Sequence, residues 1–199
     1  MRILIVGAEG TIGRAVTAAL SGRHEVIKAG RKSGDVQVDI ADRRSIEALY
    51  AKIGKVDAVV AAAGHVHFGP LAEMTHDQFM SGLNNKLMGQ VDLVLAGIAH
   101  VNDNGSFTLT SGILDRDPIR AGTNAATVNA ALGGFVLGAA IELPRGLRIN
   151  VVSPALLDES AEKLGSWFPG QETVAAARVA KAYVKSVEGA ITGKVITVG

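Results

Sequence analysis

Short apolar runs alternate with amphipathic stretches along the whole chain. Ile3–Val6 is a continuous apolar run with glycine directly behind it, which predicts a buried strand, and Thr11–Leu20 has helical character. His24–Ala29 predicts a second strand, followed by the polar turn "GRKSGD". A helix is expected over Arg43–Ile53, with Asp42 or Ser45 able to cap it. Asp57–Ala63 reads as a third buried strand ending in Gly64. Thr75 and Asp77 are candidate caps for a long helix reaching roughly to Val101. "GSFTLTSG" is the next strand, "DP" at 117–118 precedes another helix, and Leu147–Val152 is a further strand. After a short helical patch over Asp158–Leu164, Glu172–Val187 predicts a last helix and Lys194–Val198 a closing strand. Repeated β-α alternation with short connections implies one doubly wound domain over residues 1–199, a parallel sheet in a three-layer α/β/α arrangement. Its ligand is expected at the carboxyl ends of the strands.

Composition narrows the function classes. The 199 residues are 48% hydrophobic and 20% charged, with 24 glycines, which suits a sheet buried on both faces. Net charge is +1 and no run of Lys or Arg exceeds two, so neither a nucleic-acid groove nor a polybasic membrane anchor is expected. Absence of cysteine removes disulfides, cysteine-ligated metals and a thiol nucleophile, and suits a cytoplasmic location. No metal site is expected. The apolar run at the N-terminus stops at Val6, a strand signature rather than a signal peptide. Ala130–Ile141, the longest uncharged apolar stretch, falls short of the ~20 residues that span a bilayer. The expectation is a soluble protein.

"ILIVGAEGTIGRAV" sets Gly7, Gly10 and Gly13 between the first strand and the first helix. Glycines here permit a tight turn, clear side chains from an approaching pyrophosphate, and let the helix pack close to the sheet. The helix N-terminus, at Thr11 and Ile12, then offers free N–H groups and a favourable dipole to an anion. This predicts dinucleotide binding, against the plainer alternative of a structural turn. The second strand ends without a carboxylate that would select NAD, and offers Arg31, Lys32 and Ser33 instead. A basic pair with a hydroxyl suits the 2′-phosphate of NADP, which is preferred to NAD, although such residues also make an ordinary solvated turn. Asp39 and Ile40 of "VDI" are expected at the adenine edge, and Ala62, Ala63 and Gly64 of "AAAG" beside the ribose.

Taken together, these motifs, with "SFTLTSG", "AALGGFVLGAAIELPRGLRINVVSPALL" and "ITGKVITVG", resemble the short-chain dehydrogenase/reductase family over nearly the whole chain. The resemblance implies a Rossmann-type fold and a site built from Tyr, Lys, Ser and Asn. Ser111 occupies the serine place, while the register of "AAL" at 130–132 puts Ala125 at the tyrosine and Asn129 at the lysine. The only tyrosines, Tyr50 and Tyr183, fall on helices expected to lie away from the cleft. In "NNKLMG", Lys86 stands where the family has its asparagine. This Lys/Asn exchange resembles the ketoreductase modules of polyketide synthases, and it puts Lys86, Ser111 and Asn129 forward as the catalytic set. A surface lysine beside two asparagines remains the alternative.

Reduction of a carbonyl needs a proton donor. Lys86 is one candidate, Ser111 relaying from water another, and His65 and His67 after "AAAG" are weaker ones. Asp115 and Asp117 are expected to cap the following helix. Pro154 is expected over the nicotinamide end, with Ala155 where the family has glycine. Leu156, Leu157, Trp167 and Phe168 are candidates for a small apolar lid, or else for core or interface. Three readings stay open: an NADP(H)-dependent oxidoreductase acting on a small carbonyl or alcohol substrate, an inactive NADP(H)-binding protein serving as redox sensor or interaction partner, and a structural homologue with an empty cleft. The helices over Thr75–Val101 and Pro118–Leu143 resemble those that build four-helix interfaces in the family, which implies a homodimer or homotetramer.

Overall fold

The apolar runs become the centre of a parallel sheet. A computed structural model describes residues 1–199. The strands are β1 (Arg2–Val6), β2 (Glu25–Gly30), β3 (Val36–Gln37), β4 (Val56–Ala61), β5 (Val101–Thr110), β6 (Arg148–Pro154), β7 (Leu156–Leu157), β8 (Thr173–Val174) and β9 (Lys194–Val198). The helices are α1 (Thr11–Leu20), α2 (Arg43–Ile53), α3 (His76–Gly82), α4 (Met88–Gly97), α5 (Thr123–Glu142), α6 (Asp158–Leu164) and α7 (Ala176–Glu188). Seven strands form one sheet in the order β3-β2-β1-β4-β5-β6-β9, and every pairing in it is parallel. β7 and β8 make a separate two-stranded pair beyond it.

Side chains alternate between the two faces of the sheet, and both faces are covered. Leu4, Val59 and Ile149 face one way, toward Leu49 and Ile53 of α2, Leu93 of α4 and Leu132 of α5. Ile3, Ile5 and Val60 face the other, toward Val16 and Leu20 of α1 and Val179 and Tyr183 of α7. The result is a Rossmann-type three-layer fold. Order reverses between β1 and β4, so a crevice opens at their carboxyl ends.

Local chemistry sets several boundaries. Asp42 caps α2 by accepting from the Arg44 N–H at 2.9 Å, while Ser45 instead accepts from the Asp39 N–H. Thr75 and Gln78 form a reciprocal capping box at the start of α3. Three expectations are corrected. The helix expected to reach Val101 ends at Gly97 and is interrupted by a π turn over Leu83–Leu87, and Val101 opens β5. The helix expected after Pro118 begins only at Thr123, because Ala121 adopts φ 60° and breaks the helical path. The "GRKSGD" turn leads into the short edge strand β3, which has no hydrophobic run to announce it.

By length and composition α5 is apolar enough to cross a membrane. Here Val128, Leu132 and Val136 bury one of its faces against the sheet, and the outer face leaves Leu137 and Ile141 exposed.

Candidate active site

The glycine loop separates into structural and ligand-facing positions. Gly7 has φ 84°, and a Cβ there would lie 2.5 Å from the Ala62 carbonyl oxygen. A Cβ at Gly13 would collide with the Gly7 carbonyl, so those two glycines are demanded by packing alone. Gly10 is different. It has an ordinary φ of −73°, and a Cβ there would meet nothing closer than 3.4 Å. Neither strain nor crowding demands a glycine there, and it leaves the start of α1 open. α1 starts with no side-chain cap and no acidic residue in its first turn. The N–H groups of Thr11, Ile12 and Gly13 therefore point out of the helix start without intrahelical acceptors, a cradle that fits an anion.

Beside this loop is a cavity of about 200 Å³ whose walls include Gly7, Arg31, Asp39, Ile40, Ala63 and Gly64. Ile40 is buried, and the Asp39 carboxylate accepts from the Ala41 N–H at 3.0 Å, so both shape the rim of the cavity. Ala62 is half-buried and its carbonyl covers Gly7. Arg31 is exposed and lines the cavity; Lys32 and Ser33 are exposed and lie outside its walls. A nucleotide with its pyrophosphate at Gly10 and its adenosine against Asp39 and Ile40 fits the residues present.

Three elements meet at the second centre. Lys86, in the π turn, donates from Nζ to Asn129 Oδ1 of α5 at 2.7 Å and to the Ser111 carbonyl behind β5 at 3.0 Å. Asn129 in turn donates from Nδ2 to the Gly112 carbonyl at 3.2 Å. Gly64 makes the approach possible, because a Cβ there would lie 2.5 Å from Lys86 Cγ. Burial of the ammonium lowers its pKa to about 8, opposed by the nearby Asp115 carboxylate. Two of its three N–H donors are engaged, leaving one for a ligand. Ser111 Oγ is buried and has no partner in the protein.

Lys86, Ser111, Asn129 and Pro154 line a mainly apolar cavity of about 200 Å³, together with Ala125, Leu156, Leu157, Leu164 and Phe168. Trp167 instead borders a neighbouring open cleft with Arg120 and Gln171, and packs edge-on against Phe68 at 6.2 Å. Both tyrosine hydroxyls are sealed in the core. Tyr50 donates to the Leu93 carbonyl and Tyr183 pairs with Thr110 Oγ1, and burial pushes both phenols upward in pKa. His65 lines the cavity beside the glycine loop, and His67 does not line the Lys86 cavity. Asp115 and Asp117 do not cap α5, whose N-cap is Gly122. Asp115 instead accepts from Arg116 at 3.0 Å and from the buried Ser153 hydroxyl at 3.3 Å. Two further residues escaped the sequence reading: Asn85, which accepts from the His65 N–H, and Asn124, which ties His67 to Phe79. "NNK" held a signal for the first, while nothing local marks the second.

A family model described as enoyl-(acyl carrier protein) reductase matches residues 9–195. Among solved structures, the protein lin1944 from Listeria innocua is 51% identical, with a TM-score of 0.99 over 100% of both chains. A small-chain dehydrogenase in complex with NADPH is 27% identical, with a TM-score of 0.88 over 100% of this chain and 96% of that one. An uncharacterized oxidoreductase of Mycobacterium tuberculosis, Rv1714, is 25% identical over 77% of this chain. The match covers 66% of that relative, so the chain spans just under two thirds of its length.

Proposed function

Since the chain belongs to the short-chain dehydrogenase/reductase family, a family of nicotinamide-dependent oxidoreductases, we propose that it is an NADP(H)-dependent reductase of a small, mainly apolar carbonyl compound. The observation that carries the proposal is the Lys86 ammonium, fixed by Asn129 and the Ser111 carbonyl at the wall of an apolar cavity, with one N–H to spare.

Gly10 and the N-terminus of α1 would hold the pyrophosphate, Asp39 and Ile40 the adenine edge, and Pro154 the nicotinamide end. Arg31 at the cavity supports NADP over NAD, as does the absence of a carboxylate at the end of β2. A bound nicotinamide would supply the hydride. The chain's own residues handle the oxygen end. Ser111 Oγ, unpartnered in the protein, donates to the substrate carbonyl and orients it. Lys86 Nζ passes a proton to that oxygen as negative charge builds on it, and Asn129 Oδ1 holds the amine in place afterwards. Leu156, Leu157 and Phe168 exclude water from the cavity.

Titrating the protein with NADPH and NADH by fluorescence, then assaying a carbonyl panel, tests this. NADPH is expected to bind more tightly than NADH and to be oxidised by at least one apolar aldehyde or ketone. Lys86→Met is expected to lower that rate by ~10²–10⁴, the usual worth of a positioned proton donor, with NADPH affinity kept. Binding without oxidation of any carbonyl would replace the reductase with the inactive NADP(H)-binding reading. We also propose a homo-oligomer joined through the outer faces of α4 and α5, where Leu95, Leu137 and Ile141 are exposed around an apolar groove.

A further inference from the structure

β4 ends at Ala61, while its neighbour β5 runs on to Thr110. Their last ladder partners are Val60 and Thr108. Past that point the main-chain N–H and C=O of Thr110 on the β4 side have no strand to meet, and buried backbone groups left without partners are costly. Gln90 of α4 takes both. The Thr110 N–H donates to Gln90 Oε1 at 2.8 Å, and Gln90 Nε2 donates to the Thr110 carbonyl at 2.9 Å. Gln90 is fully buried, so its carboxamide stands in for the missing strand.

The location of this clamp gives it a second consequence. Gln90 follows Lys86 by four residues, one turn along the same helical run. Gln90 grips residue 110, and Lys86 reaches the carbonyl of residue 111 directly beyond it. Lys86 itself lies in the π turn Leu83–Leu87, whose i→i+5 pattern departs from the regular helix that resumes in α4. The nearest buried residue of α4 whose side chain makes hydrogen bonds is Gln90.

We propose that Gln90 is a positioning residue for the reaction: by clamping Thr110, it holds Lys86 Nζ against the Ser111 carbonyl and Asn129 Oδ1. This rests on the reading of Lys86 as the working acid, and it makes a claim about Lys86 that can be read without any turnover. The charged group that acts on Lys86 is Asp115, itself paired with Arg116, and the Gln90 clamp bonds to neither.

The test uses the full chain and two variants, Gln90→Met and Gln90→Glu, with folding followed by circular dichroism. Lys86 is acetylated with acetic anhydride across a pH series, and peptide mass spectrometry gives the midpoint of its reactivity. The wild-type midpoint is expected near 8. In Gln90→Met the helix loses its hold and Lys86 regains solvent, so the midpoint should rise by about one unit or more. In Gln90→Glu it should rise further, because a carboxylate one turn away favours the ammonium. Where a reducible carbonyl has been found, kcat should fall while KM for NADPH holds. A folded variant of either kind with an unmoved Lys86 midpoint overturns the proposal. Failure of both variants to fold also overturns it, since Gln90 would then be a core residue and nothing more. Wild-type inactivity toward every carbonyl would remove the reductase reading and leave the Lys86 measurement standing.

Discussion

Gly10 and Gly13 sit three residues apart in one loop and answer to different demands. Gly13 has the Gly7 carbonyl where a Cβ would go, whereas a Cβ on Gly10 would meet only an ordinary contact at 3.4 Å. Gly13→Ala should therefore cost about 1–3 kcal/mol, the usual range for overpacked sites, and show as a lowered thermal midpoint. Gly10→Ala should melt like the wild type and bind NADPH more weakly, because only the ligand meets the added methyl. Equal effects on binding and stability at both positions would return the loop to a plain structural turn. Lys86 gives a second prediction at this scale. Burial lowers its pKa to about 8, so it is an ammonium below that pH and a neutral amine above it. As the proton donor it must be charged, so carbonyl reduction should hold steady toward neutral pH and fall as pH rises through about 8. A rate that increases through that range would remove Lys86 as the acid. Which side chain served as partner to Lys86 was half legible. The Lys/Asn exchange could be read from positions 86 and 129, whereas the unpartnered Ser111 hydroxyl and the Asp115–Arg116–Ser153 cluster could not.

At the scale of elements, α2 and α1 follow their sequence patterns to the residue, because apolar spacing and an Asp42 cap act locally. The helix run from His76 to Gly97 does not. Its π turn adds a residue to one turn, and the hydrophobic pattern carries no mark of it because Leu83 and Leu87 still pack on the core. The delayed start of α5 has a similar origin. Pro118 is a fair helix-start signal, but Ala121 at φ 60° is held by its surroundings, with the Gly69 N–H donating to its carbonyl at 2.9 Å. α4 also tests the link between packing and cofactor. A Cβ on Gly89 would lie 2.9 Å from the Ile40 carbonyl, so Gly89→Ala should push α4 off the Ile40 rim of the cavity beside the glycine loop. The expected cost is about 1–3 kcal/mol, seen as a lower thermal midpoint, with NADPH affinity reduced alongside it if the proposed adenine placement holds. Unchanged NADPH affinity in a destabilised variant would separate that rim from the cofactor.

For the whole molecule, the doubly wound sheet puts the glycine loop, the cavity beside it and the Lys86 cavity along one edge, at the carboxyl ends of β1, β4, β5 and β6. Its opposite commitment is the exposed apolar face of α4 and α5. Leu137 is 60% and Ile141 87% exposed, and with Leu95 they lie around an apolar groove between α4 and α5. Leu137→Glu with Ile141→Arg should convert the proposed oligomer to monomer in sedimentation velocity, with any NADPH affinity unchanged. A monomeric wild type would refute the interface.

By itself, the sequence determined the layer architecture, because apolar periodicity and glycine placement act over a few residues and need no partner. It also determined the anion cradle, since loop and helix start are contiguous from Gly7 to Gly13. Only the tertiary structure decided the meeting of Lys86, Ser111 and Asn129. That contact is set to 2.7–3.0 Å by three elements far apart in the chain, one of them offset by a π turn and tied down by Gln90. Hydrogen bonds at that range depend on shifts smaller than the spacing between residues, and a linear pattern does not resolve them.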